Sequence, residues 1–105
     1  MIQIRITDKG VNISGHAGTQ VPPTKQEIEA CAAVTALTHT LKYSIETLTS
    51  DTPNMILSKG LFLVNHNGLS TESELLLDAF LTGCKVLSEA YPEQIDFQLV
   101  GEKQN

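Results

Sequence analysis

The chain has 105 residues, a hydrophobic fraction of 41%, a charged fraction of 18% and a net charge of −5. That length supports one domain with a single modest core, and the composition is that of a folded protein, not a disordered one. The acidic balance excludes a general nucleic-acid binder, whose electrostatic footprint is basic, and it suits a basic protein partner.

No apolar run is long enough to span a bilayer, and the N-terminus lacks the charged-then-apolar pattern of a signal peptide. The expected location is the cytoplasm, with no membrane partner. In that reducing compartment the two cysteines are expected as thiols, not as a disulfide. Two Cys and three scattered His show no metal-ligand spacing, so neither a metal nor an organic cofactor is expected.

Ile2-Gln3-Ile4-Arg5-Ile6 alternates apolar and polar residues, the period of a half-buried strand. Asp8-Lys9-Gly10 reads as a turn. Val11-Asn12-Ile13-Ser14 alternates again, giving a hairpin whose second strand delivers the chain to Gly15-His16. Pro22-Pro23 makes the following stretch a loop. Its composition predicts a segment from Gly18 to Thr24 that orders over a site only when a ligand binds.

Thr24-Lys25-Gln26-Glu27 fits a capping box, with Thr24 as N-cap. A helix then runs to about Thr49. Ala30, Val34, Leu37, Leu41, Ile45 and Leu48 form its apolar stripe. Cys31 lies roughly 60° off the stripe's centre at 100° per residue. It shares its flank with Thr35, Thr38 and Lys42, so a substrate could reach the thiol. His39 reads as solvated surface.

Met55-Ile56-Leu57 and Leu61-Phe62-Leu63-Val64 flank Ser58-Lys59-Gly60 as a second hairpin. Asn65-His66-Asn67-Gly68 is a turn. Thr71-Glu72-Ser73-Glu74 reads as a second capping box. It opens a helix through Leu77, Phe80, Leu81, Cys84, Leu87 and Tyr91, which Pro92 stops. Cys84 falls in the centre of that stripe, where core packing is its role. Ile95-Asp96-Phe97-Gln98-Leu99 alternates as a last strand. The order β-β-α-β-β-α-β predicts an α+β domain over residues 1–105, a mixed sheet covered by two helices. The strand order stays open.

Cys31 and His16 are the residue types of a thiol–imidazole site, in which the imidazole takes the thiol proton and the thiolate attacks a carbonyl. Gly15 and Gly18 beside His16 suit a sharp turn and the close approach of a peptide backbone. Thr35 lies one helical turn after Cys31, so its hydroxyl shares the thiol's face. It either bonds the thiol or substrate, or bonds its own helix carbonyl. Glu27 or Glu29 could orient His16, as a third group orients the base in a triad.

The run Ser14-Gly15-His16-Ala17, followed by Cys31-Ala32-Ala33-Val34-Thr35-Ala36-Leu37 on a helix, resembles the ribosomal-processing cysteine protease family. The resemblance implies a small homodimeric Cys–His endopeptidase that removes an N-terminal extension from a large-subunit ribosomal protein. It matches His16 to the family's catalytic His and Cys31 to its nucleophile. It also favours a later helix start, near Gln26 to Glu29, which would put Cys31 closer to the helix N-terminus. Backbone N–H groups at that start would then hold the oxyanion.

Three features depart from the family. The loop from His16 to Cys31 is a few residues longer and carries Pro22-Pro23, Ile28 stands three residues before the Cys where an Asp is usual, and the loop is poorer in Gly. They allow a divergent or phage-borne relative. They also motivate a rival reading, a non-catalytic homodimeric protein-binding module that keeps the fold without activity.

Overall fold

The computed structural model describes residues 1–16 and 21–100. The elements are β1 (Ile2–Ile6), β2 (Gly10–Ser14), α1 (Lys25–Leu48), β3 (Asn54–Ser58), β4 (Leu61–Asn65), α2 (Thr71–Ala90) and β5 (Ile95–Leu99). This is the expected β-β-α-β-β-α-β order.

The five strands form one sheet in the order β3-β4-β2-β1-β5. β1 runs antiparallel to β2, with Ile4 opposite Ile13, and parallel to β5, with Ile4 beside Phe97. β4 joins the two hairpins by pairing with both β2 and β3. The sheet is therefore mixed. The parallel pair needs a long crossover, and β1 and β5 are the first and last strands among the described residues.

Strand alternation decides which face is covered. Ile2, Ile4, Val11, Ile13, Phe62, Val64 and Ile95 are buried and share one core with Ala30, Val34, Leu41 and Ile45 of α1 and Leu77, Phe80 and Cys84 of α2. Both helices thus pack on the same face. Fully burying one such Ile or Phe contributes about 1.5–3 kcal/mol. The opposite face carries Gln3, Asn12 and Ser58, with Ile56 half exposed among them.

α1 begins where the capping box puts it. Thr24 Oγ1 accepts from the Glu27 N–H at 3.2 Å, and Glu27 Oε1 accepts from the Thr24 N–H at 2.8 Å. Both bonds hold Thr24 as N-cap, so the later start favoured by resemblance is not adopted. The apolar stripe also differs at two places. Leu48 is 70% exposed at the helix end, whereas Thr38 is 3% exposed. Thr38 tolerates burial because its Oγ1 donates to the Thr35 carbonyl at 2.9 Å.

The N-cap of α2 is Ser70, not Thr71, and its side chain accepts from the Ser73 N–H. Asp51, just past α1, explains the shift. Its Oδ2 accepts from the Ser70 N–H at 2.8 Å, from Ser70 Oγ at 2.7 Å, and from Ser73 Oγ. One carboxylate thereby ties the end of α1 to the start of α2. Among the described residues, no helix is long and apolar enough to cross a membrane.

Candidate active site

β2 ends at Ser14, and Gly15 turns the chain with φ of 94°. Its N–H donates to the Gly60 carbonyl at 3.1 Å. A Cβ here would lie 2.5 Å from the Met1 carbonyl oxygen, so only glycine fits. This turn delivers His16 to the tip of the β3–β4 hairpin. Gly60 occupies that tip with φ of 75°, and an added Cβ would lie 3.2 Å from His16 Nε2. The imidazole therefore rests against the hairpin turn.

Cys31 approaches from the other side. It is the seventh residue of α1, half-buried, and packs against the core beside fully buried Ala30. His16 and Cys31 line one cleft of about 440 Å³. Gly15 and Thr35 line it too. Gly18 and the first part of the loop expected to close over the site, residues 18–20, lie outside the described residues; in the remainder, Val21 is exposed and Thr24 caps α1.

The cleft also contains residues that the sequence did not single out. Leu57 through Phe62 form one wall, and Ile2, Ile13 and Val34 the apolar floor. His39, read as plain surface, is exposed and also lines the cleft. Its Nδ1 sits 2.9 Å from the Thr35 carbonyl. A carbonyl can only accept, so Nδ1 carries the proton in that bond. The signal for His39 was its spacing: four residues after Thr35, it lies on the same helix face.

The acidic neighbours of Cys31 are engaged elsewhere. Glu27 serves the N-cap. Glu29 accepts from the Tyr91 hydroxyl at 3.1 Å, a bond that holds the Tyr91 pKa above its ordinary value, with burial adding to the effect. Neither carboxylate takes the place of a third catalytic group on His16.

Two of the N–H groups at the helix start already have partners. The Glu27 and Ile28 N–H groups are spent on Thr24, and they precede Cys31 by about a turn. The favourable helix dipole has likewise faded by the second turn. Cys84, in contrast, is fully buried, and burial pushes its pKa up to about 12. It is a packing residue, chemically quiet. Among the described residues, no group of three His, Cys, Asp or Glu is placed to hold a metal ion.

An α+β domain that opens a single cleft to both a cysteine and a histidine has the makings of a thiol hydrolase. Comparison with known families makes this specific. The chain belongs to the cysteine protease Prp family, whose family model matches residues 1–96.

Among solved structures, the chain is similar to the ribosomal processing protease Prp from S. aureus in complex with a covalently linked product peptide. The identity is 26% and the TM-score 0.80, over 95% of this chain and 100% of that one. It is similar also to SMU.848 from Streptococcus mutans, at 25% identity and a TM-score of 0.77, over 97% and 96% of the two chains. The S. aureus protease with a substrate peptide matches at 24% identity and a TM-score of 0.80, which supports the fold. No curated protein matches the chain.

Proposed function

We propose that this protein is a cysteine endopeptidase working through a Cys31–His16 dyad. The observation that carries the reading is the convergence of these two side chains on one cleft, from elements 15 residues apart in the chain. His16 takes the proton of the Cys31 thiol, and Sγ attacks the scissile carbonyl carbon. His16 then gives that proton to the leaving nitrogen as the C–N bond breaks, which leaves a thioester on Cys31. Water, deprotonated by His16, hydrolyses the thioester and frees the thiol. Because Cys31 lies in the second turn of α1, His16 supplies the activation that the helix dipole would give a residue nearer the N-cap.

The family supports a reading of the substrate class. The S. aureus relative is a ribosomal processing protease, and its substrate and product there are peptides. On this reading the present chain removes the N-terminal extension of a large-subunit ribosomal protein. Its net charge of −5 suits a basic ribosomal tail. Thr35 and Gly15 line the cleft as substrate-supporting residues.

We further infer a homodimer acting in the cytoplasm. Among the described residues, helices cover the sheet on one face only and Ile56 is half exposed on the other, which favours a second copy. Sedimentation at micromolar concentration is expected to give a dimer, and a lone species of 11.4 kDa would contradict it.

Thiol reactivity tests the dyad and separates it from the non-catalytic module. Cys31 is expected to react with iodoacetamide well below the pH at which a simple thiol peptide reacts, and His16→Ala is expected to remove the advantage. Equal rates for Cys31 and the peptide at every pH would reject the dyad.

A further inference from the structure

Among the described residues, β3 is an edge of the sheet, paired with β4 on one side and with no strand on the other. An edge strand presents unpaired N–H and C=O groups, and proteins commonly blunt such edges with a charge or a proline. The two edges of this sheet differ in that respect. β5 carries Asp96 within the strand, ion-paired with Arg5 of β1 at 2.8 Å. β3 reads Asn54-Met55-Ile56-Leu57-Ser58 and has neither charge nor proline inside it. Pro53 and Lys59 stand just beyond its ends, where they limit the length of an added strand without blocking it.

This edge is continuous with the cleft that holds Cys31. Leu57 and Ser58, the last two residues of β3, line the cleft together with the turn residues Lys59 and Gly60, so the β3 edge meets the cleft at its C-terminal end. The facing wall is the flank of α1 at Thr35, Thr38 and His39. That wall is braced, because the His39 ring is held by the Thr35 carbonyl and stacks on Tyr43 at 6.3 Å between centroids.

We propose that an extended segment of the substrate chain binds in this trough as an added strand, hydrogen-bonding the free edge of β3 while its scissile carbonyl reaches Cys31. The occupant is a substrate peptide and not a second copy, because the trough leads directly to the thiol. In strand addition the main-chain bonds supply affinity, and alternate side chains supply specificity. The two-residue period of a strand makes alternate amides of the bound peptide essential and those between them dispensable. The proposal rests on the protease reading of Cys31.

The test uses the whole protein and two chloromethyl ketones, acetyl-Leu and acetyl-Ala-Ala-Ala-Leu. Cys31 Sγ displaces chloride from either, and mass spectrometry gives the rate of labelling. The longer probe is expected to label about tenfold faster, the equivalent of one or two net hydrogen bonds. N-methylation of alternate amides is expected to remove that gain, and N-methylation of the intervening ones to leave it. In the labelled protein, alternate amides of β3 are expected to exchange more slowly with deuterium.

A length gain without this alternation, and with unchanged exchange in β3, would overturn the strand-addition proposal while leaving the protease reading intact. Equal rates for the two probes would overturn it as well. Exchange in β3 that is slow before labelling and quickens on dilution would assign the edge to a second copy. Labelling of Cys31 by both probes no faster than that of a simple thiol peptide would remove the protease reading, and the proposal with it.

Discussion

The His16 ring lies where a side chain on Gly60 would point: a methyl group on Gly60 would sit 3.2 Å from His16 Nε2 and 3.3 Å from Cε1. The β3–β4 turn is therefore a support for the imidazole, and the absence of a side chain at Gly60 sets where the ring can lie.

This relationship gives a two-part expectation for Gly60→Ala. The backbone at φ of 75° is in the left-handed region, so the substitution should cost about 1–2 kcal/mol of stability. The new methyl group also displaces His16. The variant should lose cleavage activity at temperatures where circular dichroism shows it fully folded. An active variant with only a lowered Tm would mean that the ring position does not matter.

The two cysteines should separate cleanly. Cys31→Ala is expected to abolish cleavage at a stability cost of roughly 1 kcal/mol or less, since the site is half-buried. Cys84→Ala is expected to keep activity and lose about 1–2 kcal/mol, since it leaves a void in the core. Denaturant melts and a cleavage assay on both variants check this. Retained cleavage in Cys31→Ala would remove it as nucleophile.

The helix junction predicts an acid-sensitive element. Bonds from Ser73 Oγ, the Ser70 N–H and Ser70 Oγ favour the ionised form of Asp51 and hold its pKa below the ordinary 3.8. A depressed carboxylate contributes stability that is complete above its unfolded pKa and is lost as pH falls through its folded pKa. Asp51→Asn should therefore lower Tm at pH 7 and narrow the difference from wild type below about pH 4. Parallel Tm curves from pH 7 to pH 2 would contradict this. Ser70→Ala removes the cap itself and should cost about 1 kcal/mol at neutral pH.

Tyr91→Phe tests the link between the helix ends. Tyr91, the C-cap residue of α2, donates to Glu29, two residues before Cys31. The variant should fold, with a small fall in Tm, and exchange its first-turn α1 amides faster. Unchanged exchange there would show that core packing alone holds that end of α1.

The parts legible in the sequence are those encoded locally. Alternation in Ile2–Ile6 and Ile95–Leu99 gave both strands with their bounds, and Thr24 with Glu27 gave the true start of α1. Resemblance argued for a later start, but the two reciprocal cap bonds prevail. Non-local features were not legible. The cap of α2 moves to Ser70 because Asp51, 19 residues away, binds it. The strand order, and with it the edge position of β3, depends on pairings that no periodicity records. The candidate pair His16 and Cys31 was readable as residue types, whereas the hairpin wall and His39 join the cleft only through the tertiary fold.

The most direct test of the dyad is incubation of the protein with the extended large-subunit ribosomal protein from the same cell, followed by mass spectrometry of the intact products. The account predicts one cut that releases the N-terminal extension with wild-type protein, and none with Cys31→Ala or His16→Ala. An uncut substrate with wild-type protein, or the same cut with Cys31→Ala, would contradict it.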